Sequence, residues 1–257
     1  MMTQKELANL LNNLHVKGNP LLLFNIWDAG SARAMQEIGA KAIATGSWSV
    51  AASHGYEDGE MLPFDLVLAN MKRIIASVHL PVTIDLEGGY GRSATQVQEI
   101  VKQVIESGAV GINIEDQIIG GKGMYSTEDQ CARINAIRQV AENMSIPIFI
   151  NARTDIFFQT DPVNHDDKLL EIAISRASAY AESGASGFFV PGLRDAKYIE
   201  KLCRLSVIPI NIMVLPDMPS SRQLADLGVA RISYGPGPYC QVINALKDAG
   251  SNALSLN

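Results

Sequence analysis

Along the chain, short apolar runs alternate with longer stretches in which apolar residues recur at helical spacing. The runs are LLLFNI (21–26), AIATGS (42–47), VTIDLE (82–87), GINIED (111–116), IFINAR (148–153), GFFVPG (187–192), IPINIMV (208–214) and RISYGP (231–236). Each has the length of a buried strand. Between them, residues 66–78 carry apolar side chains at 66, 67, 68, 71, 74, 75 and 78, a broad helical face. Residues 95–107, 129–143 and 168–183 repeat that periodicity. Gly39, Gly108, Gly184 and Gly228 stand where a left-handed helix stop is expected, and Ser126 or Thr127 where a helix start is.

Strands alternating with helices predict βα units and a parallel sheet. Eight candidate strands in 257 residues predict a closed (β/α)8 TIM barrel. It is expected to occupy 1–257 as a single domain, with a short N-terminal helix and a C-terminal helix. The alternative is an open doubly wound sheet. GYGRSA (89–94) has the GxGxxA spacing after a strand, but acids stand just before it. No GxxxxGK[ST] and no full GxGxxG occurs, which disfavours a nucleotide fold.

Composition narrows the partners. The net charge is −6 with no basic patch, so no nucleic acid is expected. No apolar run reaches transmembrane length, and MMTQKELANLLNNLHVKG lacks the pattern of a signal peptide. The expectation is a cytoplasmic protein with no membrane partner. Cysteines at 131, 203 and 240 are odd in number and show no CxxC spacing, so neither a disulfide framework nor a zinc site is indicated.

The polar residues fall at the carboxyl ends of the runs: Trp27 and Asp28; Thr45, Gly46 and Ser47; Asp85 and Glu87; Glu115; Asn151 and Arg153; and Asn211. In a barrel those ends share the rim where active sites form. Asp85 and Glu87 are two apart, so a strand would point both to one side, roughly 7 Å apart. Glu115 comes from the next strand. Three converging carboxylates would raise one another's pKa, and a divalent cation removes that conflict. Oxygen-only ligands favour Mg2+ or Mn2+ over zinc. The bland alternative is that each acid caps a helix or pairs with arginine. Arg153 suits a substrate carboxylate or phosphoryl group, or an ion pair with Glu115 or Asp155. Gly46 is a turn glycine or an anion-binding N–H. His54, beside GYEDGE, is the histidine retained as a general acid or base. The remaining histidines read as peripheral, and no cysteine nucleophile is indicated.

Together FNIWDAGSARAMQEIGAKAIATGS (24–47), GYEDGE (55–60), VTIDLEGGYG (82–91), GINIEDQ (111–117), INARTD (150–155) and PINIM (209–213) resemble the isocitrate lyase/phosphoenolpyruvate mutase superfamily. The resemblance spans about residues 20–236. It implies a barrel whose last helix is exchanged between subunits of a dimer or homotetramer, Mg2+, and 2-oxoacid chemistry. It implies Asp85 as direct metal ligand, with Glu87, where the family usually has Asp, and Glu115 acting through water. Asp58 would be a further acid near the metal. Gly46 and Ser47 would hold the substrate carboxylate through N–H groups, Trp27 would line the pocket, and Arg153 would stabilise charge.

The chain departs from its relatives after the fourth strand. The lyases carry KKCGH or KRCGH there; this chain has EDQIIGGKGMYSTEDQ (115–130), without cysteine. The mutases carry Lys and Asn-Ser; Lys122 survives, but no Asn lies between Gln117 and Ser126. Gly120, Gly121 and Gly123 make the segment a candidate lid. The expected function is a Mg2+-dependent lyase acting on a small 2-oxoacid, of oxaloacetate decarboxylase type, through a metal-stabilised enolate. The alternatives are P–C bond chemistry on phosphonopyruvate and a non-catalytic 2-oxoacid binder.

Overall fold

The structure, a computed structural model, describes residues 2–255. The domain expected over 1–257 therefore runs past the described residues at both ends. Each apolar run contains a strand: β1 (Leu21–Leu23), β2 (Ile43–Ala44), β3 (Val82–Asp85), β4 (Gly111–Glu115), β5 (Phe149–Arg153), β6 (Gly187–Phe189), β7 (Ile210–Met213) and β8 (Arg231–Ser233). All pairings are parallel, in the order β1-β8-β7-β6-β5-β4-β3-β2. A parallel bridge between Ile26 and Thr45 joins the two ends of that order. The sheet thus closes into a barrel, and the open doubly wound alternative is excluded.

The helices are α1 (Gln4–Asn13), α2 (Ala29–Glu37), α3 (Ser47–Ser53), α4 (Phe64–Ser77), α5 (Ala94–Glu106), α6 (Thr127–Asn143), α7 (Asp167–Glu182), α8 (Ala196–Leu205), α9 (Ser221–Asp226) and α10 (Gly237–Leu254). Local chemistry sets their ends. Ser126 caps α6 by accepting from the Asp129 N–H at 3.0 Å. Gly108 and Gly184 follow α5 and α7 with φ of +101° and +102°, a region closed to most side chains. The apolar faces of α4 to α8 pack on the outer strand surface and form the main core.

α1 closes the floor of the barrel. Its Leu11 packs into the space at Gly111, where a Cβ would lie 2.7 Å from Leu11 Cδ2. Gln4 donates to the carbonyls of Ile105 and Ala109, and His15 stacks on Phe149 at 3.7 Å. The opposite end, where the strands carry their polar termini, remains accessible.

GYGRSA does not form a nucleotide loop. It packs against the start of α5: a Cβ at Gly91 would lie 2.7 Å from Gln96 Cβ, so glycine serves close approach here. α10 buries only Pro238, while Val242, Leu246 and Leu254 are 49%, 65% and 83% exposed. A groove of about 660 Å³ lies open beside β1 and α2, lined by Leu14, Leu22, Phe24, Met35, Ile38 and Tyr234 among others. Among the described residues, no helix is long and apolar enough to cross a membrane.

Candidate active site

A cavity of about 270 Å³ opens at the carboxyl ends of the strands. Gly46, Ser47, Asp58, Asp85, Asn113 and Arg153 supply much of its polar lining; Trp48, Phe158, Phe189, Met213, Leu215 and Pro236 form an apolar wall. Its size suits a ligand smaller than the drug-sized molecules of ~300–1,000 Å³ pockets.

Asp85 is the last residue of β3. Its N–H donates to Thr45 Oγ1 at 2.9 Å, so Thr45 supports the strand end from the neighbouring strand. Oδ2 accepts from the Ser47 N–H at 3.2 Å and the Ser47 hydroxyl at 3.0 Å. Oδ1 is buried with no partner. One carboxylate oxygen is thus anchored and the other is free.

Glu87 reaches the site by a different route from the one its spacing suggests. β3 ends at Asp85, and Glu87 takes a left-handed backbone at φ +51°. The kink, and not a strand pleat, aims its side chain. Non-glycine residues adopt this region at a cost and persist there when their surroundings fix them. Gly59 and Glu60 N–H groups donate to Glu87 Oε2, both at 2.7 Å, and the Tyr90 hydroxyl donates to Oε1 at 3.3 Å. Arg133 of α6 holds the following loop by donating to the carbonyls of Gly88, Gly91 and Arg92.

Glu115, at the end of β4, pairs with Arg153 at 3.0 Å. Arg153 also meets Asp155 through Nε at 2.7 Å and Nη2 at 3.0 Å. Both structural partners anticipated for Arg153 are therefore engaged at once, while the residue still lines the cavity. Against the cost of burial, these two acids push its pKa up.

The acids disturb one another as converging carboxylates should. Burial, then the charges of Asp58 and Asp85, raise Glu87 to about 7. Glu115 is raised by burial, with Arg153 opposing. Asp58, on the solvent-accessible rim, is raised by partial desolvation and then by Asp85. Among the described residues, no three His, Cys, Asp or Glu side chains close into a direct metal cage. The donor set nevertheless fits a hard cation held by one direct ligand and further acids through water. The observation that carries this fit is the orphaned Asp85 Oδ1 beside mutually raised carboxyls.

Other expected residues lie elsewhere. The Gly46 N–H donates to the Ile26 carbonyl at 3.2 Å and closes the barrel, which favours the turn reading of Gly46 over the anion-donor one. The Ser47 N–H is likewise committed to Asp85. Trp27 is not a wall residue; it meets Tyr239 edge-on at 5.1 Å, and Trp48 meets the same ring at 5.9 Å and lines the cavity. Asn211 lies deeper, buried in the barrel, accepting from Asn151 at 3.0 Å. His54 is exposed at the end of α3, with Nδ1 2.9 Å from the Val50 carbonyl. Lys122 is exposed on the 117–124 loop, and neither it nor His54 lines the cavity.

Residues missed in the sequence complete the frame. Asn25 donates to the Thr45 carbonyl at 2.8 Å and accepts from the Tyr234 and Gly235 N–H groups at 2.9 Å, tying three strand ends together. Asn113 and Arg231 lie inside the barrel, bonded to each other at 3.1 Å. The available signal was period two: Asn113 precedes Glu115, and Arg231 precedes Ser233, on the same strand face.

A parallel barrel with an acidic cluster, an arginine and a small cavity at the carboxyl ends of its strands has the layout of a barrel enzyme site. The family model for phosphoenolpyruvate phosphomutase matches residues 11–254, and the chain belongs to that family, within the isocitrate lyase/phosphoenolpyruvate mutase superfamily. The structure superposes on a phosphonomutase-like protein of Burkholderia cenocepacia J2315 with a TM-score of 0.95 and 43% identity, covering 97% of this chain and 99% of that one. The 2-methylisocitrate lyase of Escherichia coli K12 is 31% identical over 76% of this chain and 65% of its own. The oxaloacetate decarboxylase of Pseudomonas fluorescens is 24% identical over 88% and 77%.

Proposed function

We propose that the protein is a Mg2+-dependent lyase that cleaves a C–C bond of a small 2-oxoacid, with oxaloacetate decarboxylation as the simplest case. The observation that carries this reading is the acidic cluster around the unpartnered Asp85 Oδ1 at the floor of the cavity. Asp85 would hold the cation directly, and Glu87 and Glu115 through water. When bound, the cation would act as a Lewis acid on the substrate carbonyl.

The chain's own residues do the rest. Ser47 fixes the rotamer of Asp85 with two donors. Arg153 faces the cavity, held in place by Glu115 and Asp155, and stabilises negative charge that develops as the bond breaks. Phe158, Phe189, Met213 and Leu215 give the leaving fragment an apolar wall, suited to a carboxylate departing as neutral CO2. Asp58 on the rim is the side chain available to return a proton to carbon. No cysteine lies in the 115–130 segment, which favours this chemistry over the lyases that resemble the chain and carry one there.

Incubating the purified protein and Mg2+ with a panel of 2-oxoacids and phosphonates, while detecting pyruvate and phosphate separately, tests the reading. Pyruvate from oxaloacetate, abolished by EDTA, supports it. Phosphate or phosphoenolpyruvate from phosphonopyruvate would replace it with P–C chemistry. Ligand-induced thermal stabilisation without product would replace it with a binding role.

The same reading includes a homo-oligomer in which α10 of one subunit covers the groove beside β1 and α2 of another. Its support is the match between an uncovered apolar helix and an uncovered apolar groove in one chain.

A further inference from the structure

Arg231 opens β8 with its side chain inside the barrel, 1% exposed. Among the described residues, no carboxylate lies within ion-pair distance of it. Its one hydrogen bond runs from Nη2 to Asn113 Oδ1 at 3.1 Å, and Nε and Nη1 have no partner. Buried charges are normally paired, because an uncompensated one costs several kcal/mol. Internal water can satisfy N–H groups, but it brings no counter-charge.

The surroundings give no counter-charge at its own level. Below lies His15, whose pKa is pushed down to about 3 by burial and then by Arg231 itself, so it stays neutral. Alongside are Asn113, Asn151 and Asn211, a layer of neutral amides. Burial lowers the Arg231 pKa to about 9, which leaves it charged at neutral pH, and the field of Asp85, in the layer above, opposes that lowering. At the mouth Asp58 and Asp85 line the cavity, Glu87 and Glu115 are buried nearby, and the guanidinium there, Arg153, is shared between Glu115 and Asp155.

We propose that Arg231 is a positioning residue for the reaction: a fixed buried cation beneath the acidic mouth, acting through Asn113 and through its field, that lets the site accept an anionic substrate over a carboxylate cluster. The inference rests on the metal-assisted reading of the site. Its physical content is a sign. One positive charge under the mouth repels a metal cation and attracts an anion bound above it. Removing that charge tightens cation binding and weakens anion binding. A purely structural role would weaken both together.

The test measures Mn2+ affinity of the full chain by titration, and oxalate affinity at saturating Mg2+, in wild type, Arg231→Met and Arg231→Lys. In Arg231→Met, Mn2+ is expected to bind at least about tenfold more tightly and oxalate at least about tenfold more weakly, a lower bound for one unit charge acting on a divalent ion through protein. Arg231→Lys is expected to stay near wild type in both. Arg231→Gln removes the charge while keeping an amide donor within the core for Asn113, and is expected to shift both constants as Arg231→Met does; it decides the matter where Arg231→Met does not fold. Constants that move in the same direction, or that both stay within about twofold, overturn the inference while leaving the functional reading intact. A wild-type protein that binds neither probe overturns both.

Discussion

Ser47 grips Asp85 twice, through its N–H and its hydroxyl, and both bonds fall on Oδ2. The arrangement leaves Oδ1 as a buried acceptor with nothing to accept from. Such an atom is costly unless a ligand meets it. Asp85→Asn keeps the shape and removes the charge. It is expected to lower kcat at least 10³-fold, the order seen when a key electrostatic group is lost, and to abolish Mn2+ binding. Melting of the metal-free variant within a few degrees of wild type would show that the loss is not one of folding.

The crowding of Glu87 gives a pH dependence with a definite sign. Its folded pKa, about 7, lies above the ordinary value near 4.5. Between these values the folded protein binds more protons than the unfolded one, so this group's contribution to stability falls as pH rises. His15 runs the other way, since it stays neutral in the fold and charges when unfolded below its ordinary value. The clean comparison is therefore wild type against Glu87→Gln, both treated with EDTA. The variant is expected to gain up to about 3 kcal/mol over wild type at pH 8 and nothing at pH 4, by urea unfolding at each pH.

The barrel was legible because each strand coincides with an apolar run and each long helix with a 3.6 period. The acidic rim was legible because Asp85 and Glu115 end their strands. For Glu87 the spacing suggested a pleat, and a left-handed kink held by Gly59 and Glu60 sets its direction instead. Backbone kinks of this kind depend on partners 27 and 28 residues distant, which no local pattern reveals. Gly46 was left open between a turn glycine and an anion donor for a related reason. Its N–H looked available in the sequence, and barrel closure onto Ile26 consumes it. Asn25 and Arg231 escaped notice because a lone polar residue in a strand signals function only once its neighbours are known.

Position relative to the cavity ranks the titratable candidates. Arg153 lines it, whereas His54 and Lys122 are exposed and do not. Arg153→Lys would lose the fork that spans Glu115 and Asp155 and is expected to reduce kcat/KM more than 100-fold. His54→Ala and Lys122→Ala are expected to stay within about threefold of wild type. A large kcat loss in Lys122→Ala with unchanged oxalate affinity would instead assign the 117–124 loop a role in turnover by closing.

Leu246 on α10 and Ile38 beside the groove are 65% and 76% exposed in the single chain. If helix and groove meet between subunits, a charge on either surface breaks the contact. Leu246→Asp and Ile38→Asp are each expected to lower the mass found by sedimentation equilibrium to that of a smaller assembly, with far-UV circular dichroism retained. An unchanged mass in both variants would refute the exchange.

Arg133 links the core to the loop that follows β3. It is 2% exposed, donates to the carbonyls of Gly88, Gly91 and Arg92, and lies over the Tyr125 ring at 4.3 Å. These carbonyls flank the kink that aims Glu87, yet Arg133 touches no part of the cavity. Arg133→Met would leave three carbonyls without their donor and is expected to cost about 3 kcal/mol of stability. Because the loop also carries Glu87, Mn2+ affinity is expected to fall several-fold at temperatures where the variant remains folded. Oxalate affinity at saturating Mg2+ should change little, since Ser47, Asp85 and Arg153 keep their own supports. Stability lost with Mn2+ affinity intact would mean that the kink at Glu87 is held by Gly59 and Glu60 alone.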